Sequence, residues 1–258
     1  MTSALTSPPS ASTQKVDVVY PCLHHLESAK SLLVLCALED LAETNHDFSY
    51  RLQIYPRAYG PNGIEKVHPL GKSPVLAIGP KPEEILSEAR LILQYLYDTY
   101  ARDGGGSGGG AGLWTPSSEQ DRARDAFFQE FANSSLLAKV DFILISELPS
   151  TLYPWGLRHV AGLFSWPFRR HFMNDINLFF QYMEDALSEG DGAKPWFGGA
   201  TRGLSDFLTI FPMDMASQRG YFDGAKYPKV QDWLDRVHAL PAYKRALDKG
   251  GKYNLKTF

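Results

Sequence analysis

The sequence predicts two unlike halves, a small α/β domain followed by an all-helical one. Three observations carry that reading. Short β-branched and aromatic runs are confined to the first hundred residues. A glycine tract, DGGGSGGGAG at 103–112, then interrupts the chain. Beyond residue 116 the apolar residues recur only at helical spacing.

The elements follow in order. Residues 16–20, VDVVY, read as a short strand ended by Pro21. Residues 28–42 are densely apolar, with polar punctuation at Lys30, Ser31, Glu39 and Asp40, and read as a largely buried helix. FSYRLQI (48–54) and PVLAI (74–78) are further strands, GPKPEE (79–84) is a turn, and EEIL continues as a short strand. SEARLILQYLYDTY (87–100) is an amphipathic helix with Ser87 as its expected N-cap. This β-α-β, β-β-α order is that of a thioredoxin-like domain.

In the second half, residues 118–146 fit one or two helices with Ala123, Phe127 and Phe131 on one stripe. Residues 171–187, 204–217 and 228–239 are further helices. The aromatic segment 153–172, flanked by Arg169, Arg170 and His171, reads as a connection between helices. Its other readings are a lip of an apolar pocket or a peripheral membrane contact. The expected division is a disordered tail at 1–14, a thioredoxin-like domain at 15–101, a Gly-rich linker at 102–115 and a helical domain at 116–258.

Composition narrows the function. The 258 residues carry a net charge of −3 with no basic block, which disfavours nucleic acid as a partner. Two cysteines, Cys22 and Cys36, give no disulfide framework and suit a reducing compartment. No apolar run reaches the roughly 18–20 residues of a membrane span, and MTSALTSPPSASTQ lacks the apolar stretch of a secretory signal. The expected location is the cytoplasm. No zinc spacing, P-loop or dinucleotide fingerprint occurs, so no metal is expected.

The strongest local signal is HPLGKSPVL, 68–76. Gly71 permits a tight turn, and Ser73-Pro74 starts a strand where a proline is best explained by a cis bond. Such a loop offers the Ser73 backbone to an extended peptide as an added strand. Glu88, in the first turn of the helix after it, either stabilises the helix dipole or accepts an ammonium group of a bound peptide.

With these motifs stands HHLESAKSLLVLCALEDL (24–41), and GLSDFLTIFPMDMA (203–216) and YPKVQDWLDRVHALPAYKRALDKG (227–250) follow. In this order they resemble the fungal glutathione transferases, notably the yeast-type enzymes with an extended helical domain. The resemblance runs from about residue 16 to residue 258. It implies the glutathione transferase fold: an α/β thioredoxin-like N-terminal domain and an all-α C-terminal domain. It also implies glutathione as substrate or cofactor, a small hydrophobic co-substrate and a homodimer. Ser73, beside cis-Pro74, would pair with the cysteinyl unit, Glu88 would bind the γ-glutamyl amine, and Lys72 would lie near the glycine carboxylate. Asp206 would be the acidic half of a helix-capping box whose other half is lost at Gly203.

The chain departs from the family at two hydroxyls. The family typically reads H-H-L-N-D-S-R-S at its first helix, and ungapped alignment puts that serine on Ala29, with Ser28 one position earlier. The family's Glu-Ser after the cis-proline is here Glu88-Ala89. A thiol of pKa about 8.5 is only a few per cent ionised at neutral pH, so the group that stabilises the thiolate is in question. Ser28 is the candidate catalytic hydroxyl, with an N-cap as its alternative. Cys22, His24, His25 and Tyr20 are weaker candidates, and Lys30 either adds positive potential or, as the favoured reading, is a plain surface residue.

Three functions fit these residues. The first is a glutathione transferase acting on a hydrophobic electrophile, with Phe127, Phe128, Phe131 and the 153–166 segment as pocket walls. The second is a glutathione-dependent cis/trans isomerase of specialised metabolism. The third is a glutathione-binding regulatory protein without catalysis.

Overall fold

A computed structural model of the chain describes residues 21–57, 63–79, 84–102, 112–152, 155–189 and 194–256. The expected strand at 16–20, the tail at 1–14 and most of the glycine tract lie outside these residues. The first described strand is instead β1, Cys22–Leu26, immediately after Pro21. Its sequence, CLHHL, hides the strand: inward Leu23 and His25 are buried, yet two adjacent histidines blur the alternation.

β1 is followed by α1 (Ser31–Thr44), β2 (Arg51–Tyr55), β3 (Val75–Ala77), β4 (Ile85–Ser87) and α2 (Ala89–Leu96). The sheet order is β2-β1-β3-β4. β1 and β2 are parallel, with Cys22 opposite Arg51, while β3 runs antiparallel to both β1 and β4. The first half is therefore a thioredoxin-like α/β unit. Ser87 is not the N-cap expected for α2; it closes β4, and Glu88 takes the cap position.

The second half is helical: α3 (Glu119–Glu130), α4 (Leu137–Leu152), α5 (Trp155–Ser188), α6 (Leu204–Gln218), α7 (Pro228–Ala239) and α8 (Pro241–Gly250). A π-helical stretch, Phe131–Leu136, joins α3 to α4. Residues 155–172 are not a connection. They form the first half of the 34-residue α5 and contain Pro167. The proline removes one helical N–H, and α5 continues across it, packed along α4.

α1 is the shared core element. Leu32, Leu33, Val34, Leu35, Leu38 and Leu41 are buried between the sheet, α6 and α8. Its polar residues are buried too and are met by charge. Glu39 accepts from Arg245 at 3.0 Å, from Lys249 at 2.6 Å and from the Tyr50 hydroxyl. Asp40 accepts from Trp114 Nε1 at 2.7 Å and from Arg202 at 2.9 Å.

The start of α6 shows how a lost cap is replaced. Gly203 sits at the N-cap without a side chain. Asp206 accepts from the Gly203 N–H at 2.9 Å, from Phe197 and Gly198 N–H at 2.9 and 3.1 Å, and from Trp233 Nε1 at 2.8 Å. The Ser205 N–H, which a serine at position 203 would have served, donates instead to Asp125 Oδ1 of α3 at 3.0 Å. A Cβ on Gly203 would fall 2.0 Å from that same oxygen. A side chain at 203 would therefore have to displace the acid that serves in place of the missing hydroxyl.

Candidate functional site

The site is built where β1, the β3 turn and the start of α2 meet. The Ser73-Pro74 bond is cis. The Leu26 N–H is shared between Ser31 Oγ at 3.1 Å and Ser73 Oγ at 3.3 Å, and Ser73 Oγ donates to His24 O at 3.3 Å. The Ser73 side chain is thus turned in towards β1. Gly71, at φ +58°, makes the preceding turn. Glu88 holds φ at +71°, a conformation costly for a residue with a Cβ.

Together these elements frame a cleft of about 60 Å³ lined by Lys30, His68, Lys72, Ser73, Pro74, Ser87, Glu88 and Ala89. Of the candidate residues, Lys72, Ser73, Pro74, Glu88 and Ala89 share this one cleft. Glu88 and Lys72 are exposed, so opposite charges stand at its rim, while Ala89 is buried at its base. An extended zwitterionic peptide matches that pattern: a sheet edge for its backbone, a carboxylate for an ammonium, and an ammonium for a carboxylate.

Ser28 is not among the lining residues. It is 4 % exposed, at φ +50°, and its polar groups are spent on the C-terminal segment. Its N–H and hydroxyl both donate to Lys252 O, at 2.9 and 3.1 Å, and its Oγ accepts from Asn254 N–H at 3.0 Å. Arg57 donates to its carbonyl at 2.7 Å. Glu27 accepts from Lys252 N–H at 3.1 Å, completing the knot. Ala29 is buried and brings no donor.

The weaker candidates are structural in form. His25 is buried, with Nδ1 2.9 Å from Ser31 Oγ, and burial pulls its pKa down. His24 Nδ1 is 2.9 Å from the Tyr55 hydroxyl. Burial raises the Cys22 thiol, the reverse of what a reactive cysteine needs. Tyr20 lies outside the described residues.

Lys30 was expected on the surface, and the structure corrects this. It lines the cleft, and its Nζ donates to Asn133 Oδ1 at 2.6 Å. Burial lowers its pKa, against Glu88 and Asp141, whose charges raise it. A signal for this lay in the sequence. The run LLVLCAL at 32–38 is apolar all round, so α1 offers no solvated face at its start for a lysine to occupy.

A second cavity, of about 490 Å³, lies between α4 and α5. Phe142, Ile145, Phe164, Phe168 and Phe172 dominate its walls. Ile145 stands one helical turn beyond Asp141, the residue whose charge reaches Lys30. Of the aromatic walls expected from sequence, only the 153–166 segment contributes, through Phe164. Phe128 is buried core, and Phe127 and Phe131 pack with it and with Tyr182.

A four-stranded thioredoxin-like sheet joined to this helical array is the glutathione S-transferase fold. In fold and in sequence the chain is similar to glutathione S-transferases. No family model matches the chain. It is 23% identical over 234 residues to Glutathione S-transferase 1 of Saccharomyces cerevisiae, covering 88% of this chain and 94% of that one. A glutathione S-transferase structure from Actinobacillus pleuropneumoniae aligns with TM-score 0.67 at 24% identity, over 92% of this chain and 96% of that chain. The glutathione transferase of Phanerochaete chrysosporium with oxidized glutathione aligns with TM-score 0.63 at 18% identity, over 92% and 96%. Among the described residues no helix is long and apolar enough to cross a membrane, and no cluster of metal-ligating side chains occurs.

Proposed function

We propose that the chain binds glutathione in the Ser73–Pro74 cleft and conjugates it, through its thiol sulfur, to a hydrophobic electrophile held against the α4–α5 cavity. The observation that carries this is the shared cleft: a sheet edge at Ser73, with Glu88 and Lys72 as opposite charges at its rim. Glu88 would take the γ-glutamyl ammonium, Lys72 the glycine carboxylate, and the Ser73 backbone the cysteinyl unit. The named likeness to the yeast enzyme and to a neighbour solved with oxidized glutathione supports the same ligand.

Ser28 is assigned here to the fold rather than to the sulfur, because its hydroxyl already donates and accepts within the C-terminal knot. The apolar walls of the larger cavity favour an uncharged, aromatic or polyunsaturated co-substrate. A homodimer is part of the proposal, and Leu91 and Phe127 are among the exposed apolar side chains that a partner would cover. A cytoplasmic setting suits the two unpaired cysteines.

Calorimetry with glutathione tests the binding step. Glu88→Ala is expected to weaken affinity about tenfold or more, given roughly 1.5–3 kcal/mol for a hydrogen bond to a charged group. Unchanged affinity would remove Glu88 from the site. Mass spectrometry after incubation with glutathione and a conjugated alkene separates the functions. A product heavier by glutathione marks transfer, an isomer of unchanged mass marks cis/trans isomerisation, and binding without product marks a regulatory protein.

A further inference from the structure

We propose that Lys30 is the group that activates the glutathione thiol, its ammonium standing in for the hydroxyl absent at Ala29. The inference rests on the glutathione reading of the cleft. Its support is geometric and electrostatic. Lys30 is the residue of the α1 start that lines the cleft, whereas Ser28 faces the C-terminal segment and Ala29 has no donor. Lys30 lines the cleft together with Ser73, Pro74 and Glu88. A cysteinyl unit paired with the Ser73 backbone would place its sulfur in the cleft that the lysine borders.

Asn133 also fixes the lysine. It takes one of the three ammonium N–H groups at 2.6 Å, which leaves two to address a ligand. Asn133 itself lies in the π-helical stretch Phe131–Leu136, and single π-turns inside helices are frequent at functional sites. The extra residue of that turn aims an amide across the domain boundary at the start of α1.

The charges around the ammonium are Glu88 from the start of α2 and Asp141 from α4, with Lys72 and His68 on the turn facing it. Among the described residues neither carboxylate forms an ion pair with Lys30. Its charge is thus not cancelled by a contact, and a thiolate would be its direct counter-ion. In the step itself the glutathione S–H bond breaks and its proton passes to bulk water. The electron pair stays on sulfur, and Lys30 remains an ammonium donating to it. The thiolate then attacks the electrophile. A cation beside a thiol lowers its pKa by favouring the charged form.

The test is a titration of bound glutathione, following thiolate absorbance at saturating ligand. The wild-type midpoint is expected at least about one unit below the free thiol's value near 8.5, a roughly tenfold gain in thiolate at neutral pH. Lys30→Arg should keep that midpoint, and Lys30→Gln should return it to the free value while circular dichroism stays unchanged. Asn133→Asp is a second probe that retains the lysine. A carboxylate against the ammonium should raise the midpoint. A low midpoint that survives in both Lys30→Gln and Asn133→Asp overturns the proposal, as does a wild-type midpoint equal to that of free glutathione. Calorimetry on the same samples separates the two levels: no glutathione binding by the wild type removes the cleft reading and this inference with it, whereas binding with an unshifted thiol removes the inference alone.

Discussion

Two acidic residues stand at the starts of two helices and have opposite fates. Asp206, in the first turn of α6, is 1 % exposed and accepts from four N–H donors. Glu88, at the cap of α2, is exposed and caps nothing with its side chain. The same chemistry, a carboxylate near a helix N-terminus, is in one case consumed by the fold and in the other presented to a ligand. The α1 start repeats the contrast two residues apart. Ser28 is tied into the C-terminal knot, while Lys30 is aimed into the cleft. A polar group with every partner inside the protein holds structure together, and one held in place with capacity left over is available for binding.

Breaking the Asp206 side of this comparison should give the largest effect. Asp206→Ala strands the Trp233 indole N–H and the backbone N–H groups of Phe197, Gly198 and Gly203 in a buried site. Stranded buried donors cost about 1–3 kcal/mol each, partly relieved by relaxation, so a total loss of roughly 3–5 kcal/mol is expected in urea denaturation. A loss under about 1 kcal/mol would show that the donors find other partners. Glutathione affinity of the remaining folded protein should not change.

A smaller effect is expected from acid at Glu39. Burial raises its carboxyl, but Lys249, Tyr50 and Arg245 outweigh this and leave its pKa below the ordinary value. A depressed folded pKa means the unfolded chain binds the proton more readily. The stabilisation is therefore present above about pH 4.3 and is lost as pH falls through the folded value. Denaturation midpoints for the wild type should drop in that window, and Glu39→Gln should lose stability at neutral pH and flatten this drop. Parallel curves for the two proteins would show that the α1–α8 charge cluster contributes nothing.

The same contrast explains what could be read in the sequence. Hydrophobic periodicity marked α1, α2 and α6 because apolar burial repeats along the chain. HPLGKSP marked the site turn because glycine and proline restrict the backbone by themselves. The missed items depend on partners far away in sequence. The strand expected at 16–20 lies outside the described residues, and β1 was not read because CLHHL hides its inward face. Residues 153–172 were read as a connection because their aromatic composition shows no clear helical face, while their packing on α4 is not local. Ser28 looked like a thiol donor because Lys252 and Asn254 lie more than two hundred residues away. Lys30 looked exposed because Asn133 and the cleft come from other elements.

Glu88 offers the finest test, because its backbone and side chain pull in opposite directions. At φ +71° and ψ +117° the residue is in a region that suits glycine. Such strain costs of order 1–3 kcal/mol and persists where surrounding structure enforces it. Here the cis-Pro turn, β4 and the start of α2 enforce it, and the result is a carboxylate held over the cleft. Glu88→Gly removes the Cβ conflict but adds backbone freedom to the unfolded chain, a term of roughly 0.5–1 kcal/mol in the other direction. The difference predicts a protein more stable by roughly 0.5–2 kcal/mol that binds glutathione at least as weakly as Glu88→Ala. If Glu88→Gly were instead less stable than Glu88→Ala, the conformation would not be strained, and Glu88 would be a cap of the fold like Asp206. If it gained stability and kept its affinity, the carboxylate would be idle. Only a gain in stability joined to a loss of binding fits a residue whose strain is tolerated for the sake of its ligand.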